Sequence, residues 1–231
     1  MPPDKDIKQI LRGVRRILLV ITLVGGVLFI SAGSICWISA WLIILLFAAY
    51  LVLVLIWGLG NSPDLMIERG KIERNVKSWD KMINALYAVT LLSMLVIIGF
   101  DSQRYGWTNM PIGLQVLGFI GMVCSGWLIW RAMSENVYAS RWARIQEDRG
   151  QKVVTTGPYS FVRHPMYLGV IVLVFSCSLA LGSLWGFVPG ALIGLLFVIR
   201  TILEDRMLKE ELDGYEEYAM RVRYRLLPGL W

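Results

Sequence analysis

Charged side chains make up only 17% of the 231 residues, too few to cover a water-soluble domain of this size. Histidine occurs once, at His164, with no second imidazole and no cysteine at ligand spacing. That excludes the usual zinc sites and carboxylate–histidine di-metal centres, so no metal is expected. The three cysteines, Cys36, Cys124 and Cys177, sit far apart inside apolar runs, which gives a disulfide framework no support. They read as buried packing residues. No glycine-rich nucleotide loop follows a strand pattern, and no nucleophile elbow is present. What the chain has instead is apolar length: 56% hydrophobic residues, 10 Trp and a mean hydropathy of +0.59. These describe an all-α, polytopic membrane bundle.

Five to six stretches approach the roughly 20 helical residues that a hydrocarbon core requires. They fall near 17–35, 37–59, 83–100, 112–130, 166–181 and 184–203. The fifth is short. Ser31, Gly33 and Ser34 permit a turn between the first two, and Gly182-Ser183 between the last two, so both pairs read as helical hairpins. About four spans occupy residues 1–130, and residues 131–231 hold the C-terminal hairpin with most of the polar sequence.

The 23 basic residues are distributed unevenly about these spans. Five precede the first (Lys5, Lys8, Arg12, Arg15, Arg16), five lie in 61–82, six in 131–165 and six in 200–231, while 101–111 holds Arg104 alone. With six crossings, every basic region except that of Arg104 falls on one side. The positive-inside rule makes that side cytosolic and places both termini there. The first apolar run continues through a turn into a second span, as an uncleaved anchor does. A bacterial inner membrane is the expected location, or the endoplasmic reticulum if the chain is eukaryotic. The positive charge is explained by orientation and by membrane lipids, and no nucleic-acid partner is expected.

Two polar constellations bear on chemistry. In the first, Gly157-Pro158 breaks the chain, and Pro165 pushes His164 out of the helical region while itself suiting a first helical turn. Arg163 and His164 then stand at a helix N-terminus, where a carboxylate or phosphate is favoured, and Tyr167 shares a face with His164. In the second, Glu204-Asp205 ends the last span. His164 lies 18 residues before Gly182 and Glu204 lies 21 after Ser183, so the hairpin arms are about 27 and 32 Å long and return to the same depth. One pocket with separated positive and negative walls follows, matching a ligand that carries both a carboxylate and a cation. The bland alternative is surface pairing at i,i+4, as in Arg200/Glu204, Asp205/Lys209 and Arg206/Glu210. It is preferred for Glu210, Glu211, Glu216 and Glu217, but not for Glu204. Beyond Gly214, the residues Tyr215, Tyr218, Arg221 and Arg225 recur at helical spacing. Arg221 suits a carboxylate or phosphate, and Arg223 and Arg225 suit anionic head groups.

The order Gly157-Pro158-Tyr159, Arg163-His164-Pro165-x-Tyr167-x-Gly169, a hairpin, Glu204-Asp205, Gly214-Tyr215, Tyr218 and Arg221-Val222 resembles the isoprenylcysteine carboxyl methyltransferase and phospholipid methyltransferase superfamily. Pro63-Asp64-Leu65 and Glu68-Arg69-Gly70 resemble its bacterial branch less specifically. The resemblance implies an integral membrane methyltransferase that uses S-adenosyl-L-methionine without a Rossmann domain. It implies cofactor contacts from Gly157, Tyr159, Arg163, His164, Pro165, Tyr167, Glu204 and Asp205. Arg221 would face the acceptor, and Asn136 would lie near the site with Glu204. Two positions depart from the pattern: Asp205 stands where a second glutamate is common, and Gln151 where a histidine is.

The resulting expectation is in-line methyl transfer to a lipophilic, isoprenylcysteine carboxylate-like acceptor that enters from the bilayer. Amine and thiol acceptors stay open. An NADPH-dependent reductase of the sterol reductase type, or a non-enzymatic membrane scaffold, would also suit parts of the sequence.

Overall fold

The computed structural model describes residues 3–70 and 76–231, with side chains described from Ile10 onward. The side chains of Lys5 and Lys8, together with Lys71 and Arg74, lie outside the described residues. Eight α-helices follow in order: α1 (Pro3–Ala32), α2 (Ile38–Asn61), α3 (Pro63–Gly70), α4 (Ser78–Gly99), α5 (Ile112–Glu135), α6 (Pro165–Ala180), α7 (Phe187–Glu211) and α8 (Tyr215–Arg221). Five of them, α1, α2, α4, α5 and α7, are long and apolar enough to cross a membrane, so the chain is a multi-pass integral membrane protein. The sixth expected span, α6, has only 16 residues, about 24 Å of helix, and is shorter than a full crossing.

The helix ends follow local chemistry. Pro165 opens α6, and His164 before it takes the non-helical φ −125°, ψ 59°. A single π-helical turn over Phe100–Arg104 ends α4 and turns Asp101 into the protein. There the Asp101 carboxylate accepts bonds from the Ser183 hydroxyl at 2.6 Å and the Thr108 hydroxyl at 2.8 Å. It thereby ties the α6–α7 turn to the end of α4. Arg104, at the same end, donates to the Ile30 carbonyl of α1 at 2.8 Å. At the opposite end Asp80 of α4 pairs with Arg200 of α7 at 2.9 Å. The start of α1 and the C-terminal turn, where the Trp231 carbonyl accepts the N–H groups of Arg225, Leu226 and Leu227, share that second, polar end.

Leu28, Trp37, Met94, Ile98, Met122, Val174, Ile193 and Phe197 form the main core between six helices. Lipid is as apolar as these side chains, so close backbone approach, more than burial, has to hold the bundle together. The pair α5–α6 shows it. A Cβ added at Gly118 would lie 2.3 Å from the Ala180 nitrogen and 2.7 Å from the Ser176 carbonyl oxygen. The cysteines are free, as expected, but they are not buried packing residues: Cys36 and Cys124 are exposed, and Cys177 is half-buried. Cys124 is on a face of α5 that is apolar without being buried in protein, and Cys36 is in the turn between α1 and α2.

Candidate functional site

The polar end holds a cavity of about 110 Å3. Its walls come from the segment after α5, the 3₁₀ turn at Gly157–Ser160, the start of α6, the end of α7 and α8. Gly157 makes that turn possible. It has φ +57°, and a Cβ there would lie 2.6 Å from the Glu135 side chain. Tyr159 is thereby carried inward, where its hydroxyl accepts from Asn136 Nδ2 at 3.3 Å and its carbonyl accepts from the Tyr218 hydroxyl at 2.7 Å. Burial pushes the Tyr159 phenol up to about 12, only partly offset by the Asn136 bond. Tyr218 and Tyr215 are raised for the same reason.

The hairpin returns to one depth. The Tyr167 hydroxyl donates to Glu204 Oε2, joining the first turn of α6 to the end of α7. The His164 ring stacks on Tyr167 with centroids 5.6 Å apart and planes 11° from parallel. Arg200 places its guanidinium carbon 5.0 Å from the Tyr167 ring centroid. Among the described residues nothing donates a hydrogen bond to Glu204 Oε1. The carboxylate therefore keeps an acceptor for a ligand.

Asp205, the next residue, faces elsewhere. It is 1% exposed and binds Arg163 through two parallel bonds, Nε to Oδ1 at 2.7 Å and Nη2 to Oδ2 at 3.0 Å. Tyr215 donates to Asp205 Oδ1 at 3.1 Å, and Arg225 Nε donates to Oδ2 at 3.1 Å. The remaining nitrogen of Arg163, Nη1, reaches the carbonyls of Val222 at 2.7 Å and Arg223 at 3.0 Å. The backbone N–H groups of Arg163 and His164 donate to the carbonyls of Tyr224 and Arg225. This lattice clamps the C-terminal tail beneath the cavity.

Of the site residues expected from sequence, Asn136, Tyr159, Arg163, His164, Tyr167 and Glu204 come together around the cavity. Gly157, Pro165 and Asp205 shape it from behind without lining it. Arg221 is exposed at the end of α8 and lies outside the lining. The anticipated helix face through Arg225 is not formed: α8 stops at Arg221, because the carbonyls beyond it are turned to Arg163. Arg225 meets Asp205 and the Trp231 ring instead of an exposed head-group surface. Of the i,i+4 pairs, Arg206–Glu210 forms at 2.8 Å and Asp205–Lys209 at 3.7 Å, whereas Arg200 and Glu204 find partners on α4 and α6.

Sequence reasoning missed the lining groups Tyr138, Trp142, Lys152 and Arg144, which no motif marks. It also missed the Asp80–Arg200 pair. Its one signal was an acidic residue three positions into an apolar helix, a costly placement that implies a buried partner.

A model of the phospholipid methyltransferase family matches residues 113–213, the stretch that runs from α5 through α7. Asn136, Tyr159, His164, Tyr167 and Glu204 all lie inside it. No curated protein matches the chain. Over this segment the protein resembles membrane methyltransferases at the level of that broad family.

Proposed function

We propose that the protein is a membrane methyltransferase that uses S-adenosyl-L-methionine and an acceptor drawn from the bilayer. One observation carries the reading: the segment that matches the family is the segment that folds back to put His164, Tyr167 and Glu204 around one cavity.

The residues fit this cofactor. Glu204 offers an acceptor to its ammonium or ribose hydroxyls; Arg144, Lys152 and His164 form the wall suited to its carboxylate; Tyr138, Trp142 and Tyr159 offer faces for the adenine and the sulfonium. Arg163 and Asp205 hold the floor, with Gly157 and Pro165 setting the turns on either side. When bound, S-adenosylmethionine supplies an electrophilic methyl group. The protein's part is then alignment of an acceptor and exclusion of water. A carboxylate acceptor of the isoprenylcysteine kind needs no base, and an amine or thiol would pass its proton to Glu204 or to water. Asn136 steadies the Tyr159 hydroxyl. Arg221, carried over by resemblance alone, would meet the acceptor only as it approaches from α8.

The basic residues at the polar end support a cytosolic site with both termini beside it. The test is thermal stabilisation of the full chain in detergent by S-adenosylhomocysteine. A ligand at a hundred times its dissociation constant adds about 2.7 kcal/mol. A rise in Tm with the nucleoside and none with NADPH is expected; a rise with NADPH alone would make the protein a reductase.

A further inference from the structure

Arg69, in the last turn of α3, stands where two cavities approach each other. Its Nη1 donates to the Ala139 carbonyl at 2.6 Å. Ala139 lines the polar cavity and also packs with Leu65 and Met133 against Val54, Trp57 and Trp130. Those last three residues line a second, apolar groove of about 480 Å3 between α2 and α5, open to the membrane-facing side of both helices. Met166 closes the seam, since it touches the same cluster and faces the polar cavity.

Among the described residues no carboxylate lies within ion-pair distance of Arg69. Glu68 beside it is turned to Arg144 Nη2 at 2.5 Å, and Asp80 to Arg200 at 2.9 Å. Burial, and then the positive charge of Arg141, lower the proton affinity of Arg69. A half-buried guanidinium with no carboxylate partner among the described residues is stabilised by an oxyanion brought to it. The groove adjoining it is apolar and runs along the helix faces, as a hydrocarbon chain does.

We propose that Arg69, with Arg141, receives the acidic head group of a bilayer amphiphile, a phosphate or carboxylate, whose hydrocarbon chain lies in the groove between α2 and α5. This deepens the methyltransferase reading and rests on it only in making that amphiphile the acceptor. Its reactive end would then pass Met166 toward Glu204, while Arg69 sets which head groups are admitted.

The probe is stearyl phosphate carrying two bromines on its chain, added to the full-length protein in neutral detergent. Bromine quenches tryptophan on contact, and Trp57, Trp127 and Trp130 line the groove. Saturable quenching is expected, and it should weaken about tenfold or more in Arg69→Gln, the loss of a charge-assisted bond. The equally brominated stearyl alcohol should bind the native protein weaker by a similar factor. Gly126→Val, whose Cβ meets the Tyr50 ring at an ordinary 3.5 Å, narrows the groove and should reduce quenching too. Equal binding of alcohol and phosphate, full affinity in Arg69→Gln, or displacement by inorganic phosphate at matching concentration would each overturn the proposal. Should Arg69→Gln not fold, Arg69→Lys and the alcohol comparison decide. Amphiphile binding without any S-adenosylhomocysteine binding would remove the methyltransferase reading and leave this site standing; the converse would remove this site alone.

Discussion

Arg163 and Asp205, 42 positions apart and on opposite arms of the hairpin, hold each other through two parallel charge-assisted bonds in a nearly water-free setting. Arg163 reaches the cavity wall, whereas Asp205 lies behind it. The pair fixes the height of α6 against α7, and through Val222, Arg223 and Arg225 it fixes the tail as well. It thereby also sets the positions of His164 and Glu204, each one residue away.

Removing one partner leaves a buried charge. Asp205→Ala should destabilise the protein by about 3–5 kcal/mol, the range for breaking a buried ion pair, with Arg163 and Arg225 left uncompensated. Arg163→Lys should also be costly, because an ammonium cannot reproduce the planar fork. Thermal unfolding in detergent checks both. A Tm within a degree or so of native for Asp205→Ala would mean that the lattice contributes nothing.

The α5–α6 contact gives a graded test. At Gly118 an added methyl would strike backbone atoms of Ala180 and Ser176, which cannot move without parting the helices. At Gly121 it would meet the Ser176 hydroxyl at 2.3 Å, which can rotate away, and the Ser176 Cβ at a milder 3.1 Å. Gly118→Ala should therefore cost on the order of 1–3 kcal/mol and Gly121→Ala clearly less. Equal losses, measured as unfolding midpoints, would contradict the close approach at Gly118.

Alkali should separate the tyrosines. The Tyr159 phenol is raised from 10.0 to about 12, with Tyr215 and Tyr218 raised too. In the unfolded chain these groups lose their protons near pH 10, while the folded protein still holds them. Their contribution is complete below pH 10 and is lost as pH rises toward 12, about 1.4 kcal/mol per unit for each phenol. Near-ultraviolet tyrosinate absorbance should show a late-titrating group that Tyr159→Phe removes. Titration of all nine tyrosines together near pH 10 would refute it.

Hydropathy and a rise of 1.5 Å per residue made the hairpin and its return legible, because both are properties of chain length alone. Glu204 stood out for a related reason: a carboxylate at the edge of an apolar helix needs a partner, and Tyr167 is that partner. The pairing of Arg163 with Asp205 was not legible. Motif order says that residues share a site without saying which way each side chain turns, and here one helical step separates Glu204 from Asp205. The short α8 and the turn after it depend on carbonyls recruited by Arg163 from 59 or 60 positions away. No local pattern encodes such a contact. Arg69 was visible only as part of a weak motif, since its setting is made by α2, α5 and the loop after α5 together.

On the proposed function, Glu204 and Tyr167 form one wall of a nucleoside site. Equilibrium binding of S-adenosylhomocysteine to the native protein, Glu204→Gln and Tyr167→Phe tests it most directly. Measurable binding by the native protein is expected, with a loss of about tenfold or more in each variant and folding retained. No binding by the native protein, or undiminished affinity in both variants, would contradict it.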